Sequence, residues 1–189
     1  GDAATKTRIE AFLYCIESYK RLEDTKRTAL KSTDFKALEN NKINITEAHQ
    51  SKEVILLPSM GAITDILASL LHSEGIYAET LPKPTNDSLR FGRQYTSGKE
   101  CIPMTITAGS LLERLSREND SDKRFAFFMP TSHGPCRFGV YNVLHKIILE
   151  KTNWGDRVRI VAPNDQDYFA GMSPDFRVRA IAGYAASDL

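Results

Sequence analysis

The feature that most constrains this chain is an alternation of short apolar runs with helix-patterned segments. Val54-Ile55-Leu56-Leu57-Pro58 is a continuous apolar run, the pattern of a strand buried on both faces. Ser59-Met60-Gly61 forms a turn, and over residues 62–73 Ile63, Ile66, Leu67, Leu70 and Leu71 recur at helical spacing. Gly75 stands where a helix C-terminal glycine would, and a second strand is expected over residues 76–81, ended by Pro82-Lys83-Pro84. The alternation repeats: a helix over 105–119, a strand over 125–129, a helix over 137–152, a strand over 158–162 and an amphipathic helix over 175–189. Parallel strands need long crossovers, so this order predicts an α/β fold with a parallel sheet and helices on both faces.

Ahead of this region, residues 6–24 place Ile9, Phe12, Leu13, Ile16, Tyr19 and Leu22 on one helical stripe. Residues 25–52 are polar and read as a connector, with room for one short helix over 34–40. The expected organisation is a helical arm and connector over 1–52 and an α/β domain over 53–189. The start, Gly1-Asp2-Ala3-Ala4-Thr5-Lys6, has neither a Met nor the regions of a signal peptide, and reads as a cut boundary in a longer protein.

Composition bears on partners. The 25 Lys and Arg balance 24 Asp and Glu, a net charge of +1, so no basic excess points to nucleic acid. No apolar run approaches the roughly 20 residues of a membrane span. Three cysteines, an odd number, do not suggest a secreted disulfide framework. A cytoplasmic location is the default expectation.

Ligands of parallel sheets sit beyond the carboxyl ends of the strands, and two segments there are unusual. The first runs Gly92-Arg93-Gln94-Tyr95-Thr96-Ser97-Gly98-Lys99-Glu100-Cys101-Ile102-Pro103, the second Pro130-Thr131-Ser132-His133-Gly134-Pro135-Cys136-Arg137-Phe138-Gly139. Each leads into an expected helix and puts one cysteine at or near its first turn, where the positive helix end favours a thiolate. Gly98 and Gly134 permit close approach of backbone to a ligand, and Pro103 and Pro135 suit positions where an N–H is dispensable. Arg137 adds a full positive charge beside Cys136. Two such thiolates can share a soft metal or an iron–sulfur cluster.

Competing readings are plain. Free cysteine is among the most buried residue types, and Cys15, at the edge of the N-terminal stripe, reads as a core packer. For Cys101 and Cys136 the flanking glycines, prolines and charges do not suit a core. No Cys-x-x-Cys supports a zinc ribbon or thioredoxin-type motif, and no Gly-x-Gly-x-x-Gly follows the first strand. His133 reads either as a further ligand or acid–base group or as a solvated turn residue. His72 and His145 read as surface or half-buried helix residues, and Asp165-Gln166-Asp167 as a polar turn or a cation site.

Together with Thr107-Ala108-Gly109, and with the second segment extended from Met129 to Val140-Tyr141, the two segments resemble the acyl-CoA dehydratase activase-related family. The likeness covers residues 53–189, and its specificity lies in the combination of Glu-Cys-x-Pro with Gly-Pro-Cys-Arg-x-Gly. It implies a flavodoxin-like three-layer α/β/α fold and an iron–sulfur-associated redox module similar to a 2-hydroxyacyl-CoA dehydratase component. It implies Cys101 and Cys136 as ligands of a [4Fe–4S] cluster, with Gly98, Glu100, Pro103, His133, Gly134, Pro135 and Arg137 around it. Two thiolates fill half of a four-ligand set, so the remaining ligands are expected from other segments of a larger protein or from a partner. An ATP-dependent activator and acyl-CoA are the implied partners. The alternative is a metal-free scaffold or interaction domain.

Overall fold

The computed structural model describes residues 42–164 and 168–187, together with residues 5, 6, 9, 10, 12, 13 and 16 near the N-terminus. The chain divides into two compact units, Gly1–Glu39 and Asn40–Leu189. In the first, the described residues are helical, as the stripe of Ile9, Phe12, Leu13 and Ile16 predicts. Cys15, the short helix expected over 34–40 and Asp165-Gln166-Asp167 lie outside the described residues.

The second unit opens with β1 (Lys42–Ile43) and α1 (Ile45–Gln50), in residues the sequence pattern assigned to a connector. Asn44 caps α1 by accepting the Glu47 N–H at 2.8 Å, while the Glu47 carboxylate accepts from the Asn44 N–H at 3.3 Å. This capping box, Asn-x-x-Glu, was the available sequence signal. The chain continues through β2 (Val54–Leu57), α2 (Ala62–Ser73), β3 (Ala78–Thr80), α3 (Asn86–Tyr95), α4 (Ile102–Ser116), β4 (Phe125–Phe128), a 3₁₀ turn (Arg137–Val140), α5 (Tyr141–Lys151), β5 (Val158–Val161) and α6 (Pro174–Ser187). At the end of α2 Gly75 takes φ +75°, the left-handed conformation that glycine adopts freely, and its N–H bonds the His72 carbonyl at 2.9 Å.

All five strands are parallel, in the order β1-β5-β4-β2-β3. Counted from β2, the last four follow 2-1-3-4 from the β3 edge, the start of the flavodoxin-like order 2-1-3-4-5. Here the fifth position is held by β1, from the front of the unit.

The layers follow from the alternation of side chains along each strand. Val54, Leu56, Phe125, Phe127, Val158 and Ile160 face a core shared with α4 and α5. Ile55, Leu57, Ala126, Phe128 and Val161 face the opposite core, shared with α1, α2 and α6. Every residue of β2 and β4 is buried, which accounts for their continuous apolar sequences. Helices cover both faces, so the unit is a three-layer α/β/α sandwich.

The segment from Gly92 to Pro103 is not one continuous loop but spans the end of one helix and the start of the next. Its first four residues end α3, which Thr85 starts by accepting from the Asp87 and Ser88 N–H groups. Gly92 and Gly109 lie where α3 and α4 touch. A Cβ on Gly92 would overlap the Thr105 carbonyl, and one on Gly109 the Ser88 carbonyl. These two glycines of the family-like pattern thus serve helix packing.

Candidate functional site

α4 and α5 return the chain from the carboxyl edge of the sheet, so their N-terminal ends stand at that edge. α4 begins three residues earlier than the periodicity suggested, with Cys101 as its N-cap (φ −71°, ψ 151°) and Pro103 in its first turn. A proline there sacrifices no helical hydrogen bond. Gly98 takes φ +81° in the approach to this cap. Ser97 Oγ donates to Glu100 Oε1 at 3.0 Å, and the hydrogen bond from the Ser97 backbone holds the Glu100 carboxyl below its ordinary range. Glu100 therefore organises the turn before Cys101, and beyond it lines a cavity of about 360 Å³ with Tyr95, Met104, Leu144 and Lys151.

The second loop is anchored at its ends. Thr131 N–H bonds the Pro163 carbonyl and Thr131 Oγ1 the Gly139 carbonyl, both at 2.8 Å. Cys136 caps the four-residue 3₁₀ turn and not an α-helix, which begins only at Tyr141. The helix-end argument is therefore sound for Cys101 and weak for Cys136, because one 3₁₀ turn aligns few peptide dipoles. His133, Gly134, Pro135, Cys136 and Arg137 are all exposed.

Two contacts join the loops. Arg137 Nη1 donates to the Lys99 carbonyl at 2.9 Å. Cys101 Sγ lies 2.5 Å from the Tyr141 hydroxyl, the shortest polar contact in the site. The Tyr141 hydrogen bond pulls the Cys101 thiol below its usual pKa against the effect of burial, with the Met104 N–H and the Arg137 charge adding to it. The Tyr141 hydroxyl is pushed up to about 12, first by burial and then by Cys101 and the charge of Cys136. Both shifts describe one arrangement, in which the phenol holds its proton more tightly and the thiol releases its own more readily.

Tyr141 is the site residue that sequence reasoning passed over, although it closes the family-like pattern. It is 5% exposed, with the Phe138 ring edge-on at 5.3 Å. One turn further along α5 lies His145, which is neither a surface nor a half-buried residue as its helix position suggested: it is 1% exposed, with Nδ1 2.6 Å from the Tyr141 carbonyl. Burial lowers its pKa to about 4, so the ring is neutral near pH 7. His72 is exposed, with Nε2 2.7 Å from the Ala78 carbonyl.

The structure thus brings Cys101, Cys136, Arg137, Gly98 and Glu100 to one edge of the sheet. Among the described residues His133 has no bonded partner, and no three His, Cys, Asp or Glu side chains are grouped as a metal site. Among those residues no helix is long and apolar enough to cross a membrane. In comparisons with known proteins the chain matches no family model, no curated protein and no solved structure.

Proposed function

We propose that the α/β unit is an iron–sulfur-associated redox module, resembling a 2-hydroxyacyl-CoA dehydratase component or its activase-related partner, in which Cys101 and Cys136 supply two thiolates to a [4Fe–4S] cluster. The observation that carries this reading is the pairing of the two cysteine loops through the Cys101–Tyr141 and Arg137–Lys99 contacts. The donor chemistry fits half of such a site: two soft sulfur ligands, one of them held toward the thiolate form. The other half falls to other segments of a larger protein or to a partner such as an ATP-dependent activator. Bound there, a cluster would supply one-electron chemistry.

The chain's own residues have separate tasks in this reading. Cys101, at the N-terminus of α4, offers an anionic sulfur that Tyr141 stabilises by donating a hydrogen bond. Arg137 offsets negative charge and ties its loop to Lys99, while Gly98 and Gly134 leave room for a bulky group near the backbone. Pro103 fixes the first turn of α4, Glu100 the turn before it, and His133 is an accessible further donor. Acyl-CoA is the substrate class this reading implies.

Iron and acid-labile sulfide, measured on anaerobically purified chain extended by its neighbouring segments, test the proposal. Iron should exceed background in the wild type and fall several-fold in Cys101→Ala and Cys136→Ala. Equal iron in the wild type and both variants overturns it.

One observation favours the alternative, a metal-free interaction domain. α6 exposes Val178, Ile181 and Tyr184 beside Met60, an apolar surface suited to a neighbouring protein segment.

A further inference from the structure

We propose that Cys101 and Cys136, when free of metal, close an intrachain disulfide on oxidation, which makes the two-loop edge a reversible thiol lock. The proposal shares its two sulfurs with the cluster reading but rests only on how the loops are joined.

Both thiols are free, Cys136 exposed and Cys101 half-buried, so an oxidant in water reaches the pair through Cys136. Each sulfur sits on a residue that ends a loop and starts a helical turn, and the Arg137–Lys99 bond ties the residue after Cys136 to the residue two before Cys101. The Tyr141 hydroxyl bonds Cys101 and also feels the charge of Cys136, which places both sulfurs in the surroundings of one phenol. A disulfide needs Cα atoms within about 7 Å. Around Gly134, two residues before Cys136, the backbone is uncrowded, with nothing within 4 Å of where a Cβ would stand. The second loop is held at its ends by the hydrogen bonds of Thr131 to Pro163 and Gly139, which keeps Cys136 on a short tethered segment.

The chemistry balances with a hydroperoxide as oxidant. The Cys136 sulfur attacks the peroxide, the O–O bond breaks, and a sulfenic acid forms with release of water or an alcohol. The Cys101 sulfur then attacks the Cys136 sulfur, the S–O bond breaks, and hydroxide leaves to take up the thiol proton as water. Two thiols are oxidised and one peroxide is reduced. The product holds no free thiolate at either position, so oxidation would bar metal from both until a dithiol restores them.

The test uses the full chain after treatment with a chelator, exposed to equimolar hydrogen peroxide and then alkylated with iodoacetamide. Peptide mass mapping without reduction should show residues 101 and 136 in one linked peptide, Cys15 alkylated, and full reversal by dithiothreitol. Cys101→Ser should leave a sulfenic acid on Cys136 that dimedone traps, and Cys136→Ser, at an exposed position, should abolish the link. Three alkylated cysteines after peroxide, a link through Cys15, or a link only between two chains overturns the proposal. Iron content is a separate measurement, so failure here is distinguishable from failure of the cluster reading.

Discussion

At the residue scale the site turns on one hydrogen bond. A thiol at a helix N-cap already gains from the unpaired N–H groups of the first turn. The Tyr141 hydroxyl adds the largest single contribution, and only the folded chain brings it there, 40 positions along the sequence. Because the thiol pKa is lowered by donation from Tyr141, removing the donor raises it. In Tyr141→Phe the pH midpoint of Cys101 alkylation should therefore move upward, read as the iodoacetamide rate against pH in a Cys136→Ser background. An unchanged midpoint would mean that the phenol packs against the sulfur without bonding the thiolate. The cysteines were legible in the sequence because glycine, proline and arginine around them are wrong for a core. Tyr141 and His145 were not, because their pattern is that of ordinary helix residues, and burial is decided by the neighbours that fold onto them.

At the scale of elements, the informative contact is the crossing of α3 on α4. Gly92 and Gly109 let the two backbones meet, and no side chain can be added there without moving a helix. Gly109→Ala, whose Cβ would run into backbone, should cost about 3 kcal/mol or more in urea unfolding, the upper end of overpacking. Gly98→Ala meets open space and bears only the strain of φ +81°, about 1–2 kcal/mol. Equal losses at both positions would deny the close crossing. This crossing also positions the site, since α4 carries Cys101 at its start. The sequence pattern hid α3 because its residues are mostly polar and a glycine interrupts them, although Thr85 and Ser88 form a capping box ahead of it. The same reason hid α1, where Asn44 and Glu47 form the box but too few apolar residues follow to show a period. Continuous apolar strands, by contrast, declare themselves, because both faces of a central parallel strand are covered.

At the scale of the whole molecule, the α/β unit begins before the point where the apolar pattern begins. β1 pairs with β5 through Lys42 to Ile160 and Ile43 to Val161, and α1 buries Ile45 and Ala48 in the second core. A chain starting at Asn40 should therefore unfold cooperatively. One starting at Glu53 should lose at least about 2 kcal/mol, from Ile45 burial alone, and expose the edge of β5. Urea unfolding of both chains, followed by circular dichroism, checks this, and equal midpoints would show that β1 and α1 contribute nothing. The sequence by itself determined the class of the fold, since strand–helix alternation with doubly buried strands has few solutions other than a parallel sheet between helices. It also determined that two cysteine-bearing segments would stand at the carboxyl edge, because every helix returning from such a sheet starts there. Only the tertiary structure decided that β1 completes the sheet, that α3 crosses α4 at two glycines, and that Tyr141 and Arg137 tie the two cysteine loops together. Those outcomes depend on contacts between residues distant in the chain, and local periodicity carries no record of them.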